Sequence, residues 1–135
     1  MLLPYSFQLL TADDKIQTKV LATSNNLKIL ELSAISLDLL EELSSVLCFL
    51  RSFPNLEKLK ITMFPEEAYD TGDTMEFLKV QDYSKVLLNR LQDVKLISIS
   101  GNVPEMALIK LLLEKSLTLK RMVISGEELL DKNRS

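Results

Sequence analysis

The sequence predicts an α/β fold in which a parallel sheet of about four strands forms one face and helices form the other. Three observations carry this expectation. An aliphatic ladder spaced L-x-x-L-x-L occurs four times, at Leu27, Leu30, Leu32; Leu56, Leu59, Ile61; Leu91, Val94, Leu96; and Leu119, Met122, Ile124. The ladders start 29, 35 and 28 residues apart, an interval that holds one strand, one helix and their connections. Leucine fills 29 of 135 positions, far above ordinary usage, so the chain has ample apolar surface to bury. Together these features give the pattern of a leucine-rich-repeat solenoid.

Residues 1–26 read as an N-terminal extension or partial repeat, with loop material at Asp13-Asp14-Lys15 and Ser24-Asn25-Asn26. The first strand runs from about Leu27 to Ser33, with Leu30 and Leu32 pointing inward and Ile29, Glu31 and Ser33 outward. A helix is expected from near Asp38, which could cap it together with Glu41. Leu39, Leu40, Leu43, Val46, Leu47 and Leu50 then recur at helical spacing, and Pro54 stops the helix. The second strand, about Leu56 to Met63, completes a repeat region over 27–64. Residues 65–74 are polar, acidic and turn-rich, and read as an exposed loop inserted into the repeat. Phe77 to Val80 could form a short extra strand.

The third strand, Val94 to Ser100, ends at the turn signal Gly101-Asn102. Pro104 suits the first position of a helix, where its missing N–H costs nothing, and Glu105 beside it favours the positive dipole end. Met106 to Lys115 is apolar nearly all round, which predicts a well-buried helix. The fourth strand is Arg121 to Ser125, followed by a charged tail, 127–135. Typical repeats place Asn or Cys three residues after the third ladder position to tie down the turn. This chain has Ile35, Phe64, Ile99 and Glu127 there, so its turns must be closed by other groups.

The second half carries an ordered series of motifs. Lys79-Val80-Gln81-Asp82-Tyr83-Ser84 is followed by Leu91 to Gly101 (LQDVKLISISG), then Pro104 to Ser116 (PEMALIKLLLEKS), then Leu119 to Ile124 (LKRMVI). This series resembles the FBD domain of plant F-box proteins, so residues 75–126 read as FBD-like repeats. Upstream, Leu27 to Ser36 and Val46 to Leu56 are similar to the repeats that precede FBD in the F-box/FBD/LRR group. The resemblance covers roughly residues 27–124. It implies a role in holding targets for an F-box (SCF-type) ubiquitin ligase receptor. The first 26 residues show no F-box-like pattern, so binding to a Skp-type adaptor is not expected.

Catalytic chemistry is not expected. The chain contains no histidine, which removes the usual general base and the commonest metal ligand. Its one cysteine, Cys48, lies on the leucine-rich helix face and reads as a buried structural thiol. The adjacent acidic pairs point apart and read as solvated surface, and three glycines are too few for a phosphate cradle. We therefore expect no catalytic, cofactor-binding or metal-binding residue. A net charge near −3 argues against a nucleic-acid partner. No apolar run is long enough to span a membrane, and Met1 to Leu10 lacks the marks of a signal peptide. The single cysteine suits a cytoplasmic or nuclear protein.

What remains is the outward face of the sheet. Strands in register would give three rows: Ile29, Lys58, Asp93, Arg121; Glu31, Lys60, Lys95, Val123; and Ser33, Thr62, Ile97, Ser125. Ile29, Glu31, Lys58, Lys60, Asp93, Lys95, Ile97 and Arg121 are the candidate partner-binding residues, with Lys60 and Lys95 forming a basic patch for an acidic protein partner whose identity the sequence does not name. The expected function is a non-catalytic protein-interaction module. The alternative, of a different class, is a truncated remnant or regulatory decoy that associates with related repeat proteins through an open sheet edge and recruits no target.

Overall fold

The structure, a computed structural model, describes residues 6–10, 27–64 and 72–126. Five strands form one parallel sheet in chain order: β1 (Ser6–Leu10), β2 (Ile29–Ile35), β3 (Lys58–Met63), β4 (Asp93–Ile99) and β5 (Arg121–Gly126). Among the described residues three α-helices are interleaved: α1 (Leu40–Ser52), α2 (Gly72–Val80) and α3 (Val103–Lys115). The buried faces of α1 and α3 pack on the same inner face of the sheet. The residues of the inserted loop before Gly72, the tail 127–135 and the stretch 11–26 lie outside the described residues.

The alternation of side chains along each strand sets the inner face. Leu30 and Leu32, Leu59 and Ile61, and Val94 and Leu96 are all buried and pair strand to strand in register. They form one continuous core with Leu43, Val46, Leu47, Phe49 and Leu50 of α1 and Leu108, Leu111 and Leu112 of α3.

The backbone repeats as regularly as the ladder. The carbonyls of Lys28, Glu57 and Gln92 each accept two N–H groups from the next strand's entry, at Glu57 and Lys58, Gln92 and Asp93, and Lys120 and Arg121. The ladder-opening residues Leu56, Leu91 and Leu119 each donate their N–H to the carbonyl three residues earlier, on Phe53, Leu88 and Ser116. One local geometry therefore recurs at one ladder position.

Several elements differ from expectation. Among the described residues there are five strands, because Ser6–Leu10 joins the sheet beside β2, with Phe7 and Leu9 in register with Leu30 and Leu32. The edge of β2 is thus covered. Phe77 to Val80 is helical, as part of α2, which also takes in residues 72–74 at the end of the expected loop. Asp38 does not cap α1. The helix starts at Leu40 with no side-chain cap, and Leu39 and Leu40 are exposed. Cys48 is only partly buried, its Sγ 4.0 Å from Ser52 Oγ.

Helix α3 is buried on one face only. Val103, Met106 and Leu113 share its outer side with Lys110, and the three apolar ones are about half exposed. Apolar composition around a helix creates a demand for cover, and the described residues meet half of it.

The missing Asn or Cys of the turns is replaced by glutamate. Glu42 Oε1 accepts the Ser36 N–H at 2.7 Å and closes the β2–α1 turn. In the β4–α3 turn, Glu105 Oε1 accepts the N–H groups of Ser100 (2.9 Å), Gly101 (2.7 Å) and Asn102 (3.3 Å). Asn102 Oδ1 in return accepts the Glu105 N–H at 2.9 Å, completing a capping box. Gly101, at φ 91°, supplies the left-handed residue this turn requires.

Two strands carry a bulge at the same ladder position. Ala34 and Ser98 have φ of 60° and 65°, and the register shifts beside each. The extra residue returns Ile35 and Ile99 to the inner face, so Ile35 pairs with Met63 while Phe64 is left exposed. A non-glycine residue in this conformation costs roughly 1–2 kcal/mol. Ser98→Gly should therefore raise stability by about 0.5–1 kcal/mol after the extra unfolded-state entropy of glycine is subtracted. Urea unfolding measures it, and an unchanged or lower midpoint contradicts the assignment.

Candidate functional site

The outward side chains of β2 to β5 line an open groove of about 390 Å³. Strand pairing places Ile29, Lys58, Asp93 and Arg121 side by side in one row, and Glu31, Lys60, Lys95 and Val123 in the next. The candidate residues Ile29, Glu31, Lys58, Lys60, Asp93, Lys95 and Arg121 all line the groove, together with Val123. Ile97 does not line it. It pairs with Thr62, but the bulge at Ser98 takes it out of register with Ser125, so the third row stops at β4.

The electrostatics of the two rows differ. In the first, Arg121 Nε lies 3.3 Å from Asp93 Oδ1, and Asp93 also stands beside Lys58 in register. That row is largely self-compensated. In the second, Lys60 stands in register between Glu31 and Lys95, each about 4.8 Å away at the backbone, and Lys95 stands between Lys60 and Val123. Both lysines are exposed, and neither makes an ion pair among the described residues. Like charges in register disfavour the sheet, so this pair opposes folding and favours an arriving anion. The groove holds four cationic and two anionic side chains, an excess of two positive charges on a chain of net charge −3.

The other polar clusters serve structure. Arg51 Nη2 donates to Gln81 Oε1 at 2.9 Å and ties α1 to the end of α2. Asp82 Oδ1 accepts the Ser84 N–H, which holds its carboxyl below the usual range. Tyr83 donates its hydroxyl to the Leu78 carbonyl at 2.8 Å, and burial pushes its phenol up. At the opposite end of the sheet from the ladder starts, Asn102 Nδ2 donates to Asp38 Oδ2 at 3.4 Å and links the two β–α turns. Among the described residues no three His, Cys, Asp or Glu side chains are grouped to hold a metal, and no helix is long and apolar enough to cross a membrane.

Val123 and the turn-closing role of Glu105 were not singled out from the sequence. Val123 was readable from its row. Glu105 was readable only as a dipole partner, since its three backbone contacts depend on the turn's path. Comparison with known protein families, with curated proteins and with solved structures finds no match.

Proposed function

We propose that this chain is a leucine-rich-repeat-type module that holds a partner protein on the outward face of its sheet and catalyses no reaction. The architecture supports a solenoid reading: chain-order strands, a repeated ladder, and one hydrogen-bond geometry recurring at one ladder position. The observation that carries the function is the unpaired Lys60–Lys95 juxtaposition inside a groove with a local positive excess. A rigid surface that keeps two like charges together at a cost to its own stability is matched by an acidic, extended protein segment. In the F-box/FBD/LRR proteins that the sequence resembles, this part of the chain is the target-holding one, and we assign that half of the role here.

The test is fluorescence anisotropy with labelled peptides rich in Glu and Asp, against neutral peptides of the same length. Lys60→Glu with Lys95→Glu should weaken acidic-peptide binding by about tenfold or more, at roughly 1.4 kcal/mol per decade. Raised salt should weaken the parent's binding. Equal binding by parent and double variant, or no preference for acidic peptides, overturns the assignment.

A further inference from the structure

The groove is longer across the strands than along them. It takes in outward side chains from each of β2 to β5, three strand spacings or about 14 Å, but only two rows of them, about 7 Å apart. An extended segment lying along its length therefore crosses the strands. The first row is largely neutralised by Asp93, so the second governs what such a segment can place in the groove.

The second row and an extended chain have different periods. Neighbouring strands lie about 4.8 Å apart, whereas side chains on one face of an extended chain recur about every 7 Å. A segment crossing the strands cannot set one carboxylate over Lys60 and the next over Lys95. One carboxylate midway between the two ammonium groups answers both and accepts from each. That midpoint is one and a half strand spacings, about 7 Å, from Val123, which follows Lys95 in the row. The next side chain on the same face of the segment then falls on Val123, an apolar lining residue that is 40% exposed. Toward β2 the same step meets the carboxylate of Glu31, which disfavours a second acid there.

We propose that the groove reads one acidic residue with an apolar residue two positions from it, in an extended segment of another protein. This rests on the groove being a site for acidic segments, and adds what such a segment carries besides charge. Adjacent residues of an extended chain face opposite ways, so an acid and an apolar residue side by side cannot both meet the sheet. Spacing, and not the number of acids, sets the fit. The outward faces of β3, β4 and β5 suffice for it, since a strand added beyond β5 would lengthen the row and leave the outward side of Val123 as it is.

Fluorescence anisotropy on the full chain tests it, with labelled peptides of one length and composition, all serine apart from a single Glu and a single Leu. In one peptide a serine separates the two; in the other they are adjacent. The separated peptide should bind tighter by about fivefold or more. Replacing its leucine by serine should remove that advantage on the parent protein. Val123→Thr, which keeps a β-branched outward side chain, should remove it from the protein's side. Lys60→Glu with Lys95→Glu should weaken both peptides. Equal binding of the two peptides, each tighter than an all-serine peptide, overturns the spacing and leaves the charged site standing. Binding no better than that of the all-serine peptide overturns both. An advantage that survives Val123→Thr also overturns the spacing.

Discussion

Ile61→Ala is expected to cost roughly 2–5 kcal/mol, and Ile124→Ala about 1 kcal/mol or less. The two residues are of one type and occupy one ladder position, on β3 and β5. They differ in surroundings: Ile61 is fully buried between Leu32 and Leu96, and Ile124, in register with Leu96, is 46% exposed. Leu59→Ala, buried beside Leu30 and Val94, should behave like Ile61→Ala. A loss of that size consumes much of the roughly 5–15 kcal/mol that holds a domain together. Urea unfolding of the three variants checks the stacking directly. Equal losses at Ile61 and Ile124 would contradict the difference in their burial.

The second large effect is expected at Glu105. It is 5% exposed, and one carboxylate oxygen accepts three backbone N–H groups and the Ser100 hydroxyl. Glu105→Ala removes the shared acceptor at a stroke, at an expected cost of roughly 2–4 kcal/mol. Glu105→Gln keeps a carbonyl oxygen in place but loses the charge assistance, and should cost about half as much. Asn102→Ala should cost about 1 kcal/mol, as loss of a helix cap does. The double variant should fall short of the sum, because both residues close one box. Thermal or urea unfolding measures these losses, with Glu114→Ala on the exposed side of α3 as the reference. A Glu105→Ala protein no less stable than that reference contradicts the role of the turn.

The register of the sheet was legible because it rests on counting. A strand has a strict period of two, and an L-x-x-L-x-L spacing repeated without change leaves one alignment, so the rows through Lys58 and Lys60 follow from residue numbers. Features without a sequence signature were not legible. The bulges fall on Ala34 and Ser98, not on the glycine that usually marks such a conformation, and the one at Ser98 ends the third row at β4. Strand β1 is legible only as part of an extension or partial repeat, because the position three before Phe7 is Pro4 and its ladder lacks the opening aliphatic residue. Phe77 to Val80 mixes residues that suit strand and helix alike, and a run so short has no period to separate them. The outer face of α3 shows the limit of composition: leucine content states how much apolar surface exists, while exposure depends on which neighbours arrive to cover it.

Chain-order stacking also shapes how the molecule can come together. Each strand docks on the one made just before it, so every closure spans a similar short stretch of chain and none awaits a distant terminus. Assembly can therefore begin at an inner pair such as β3 and β4 and zip outward in both directions. The last rung to seat is an end rung, and the same strand that finishes the zipper is the first to reopen.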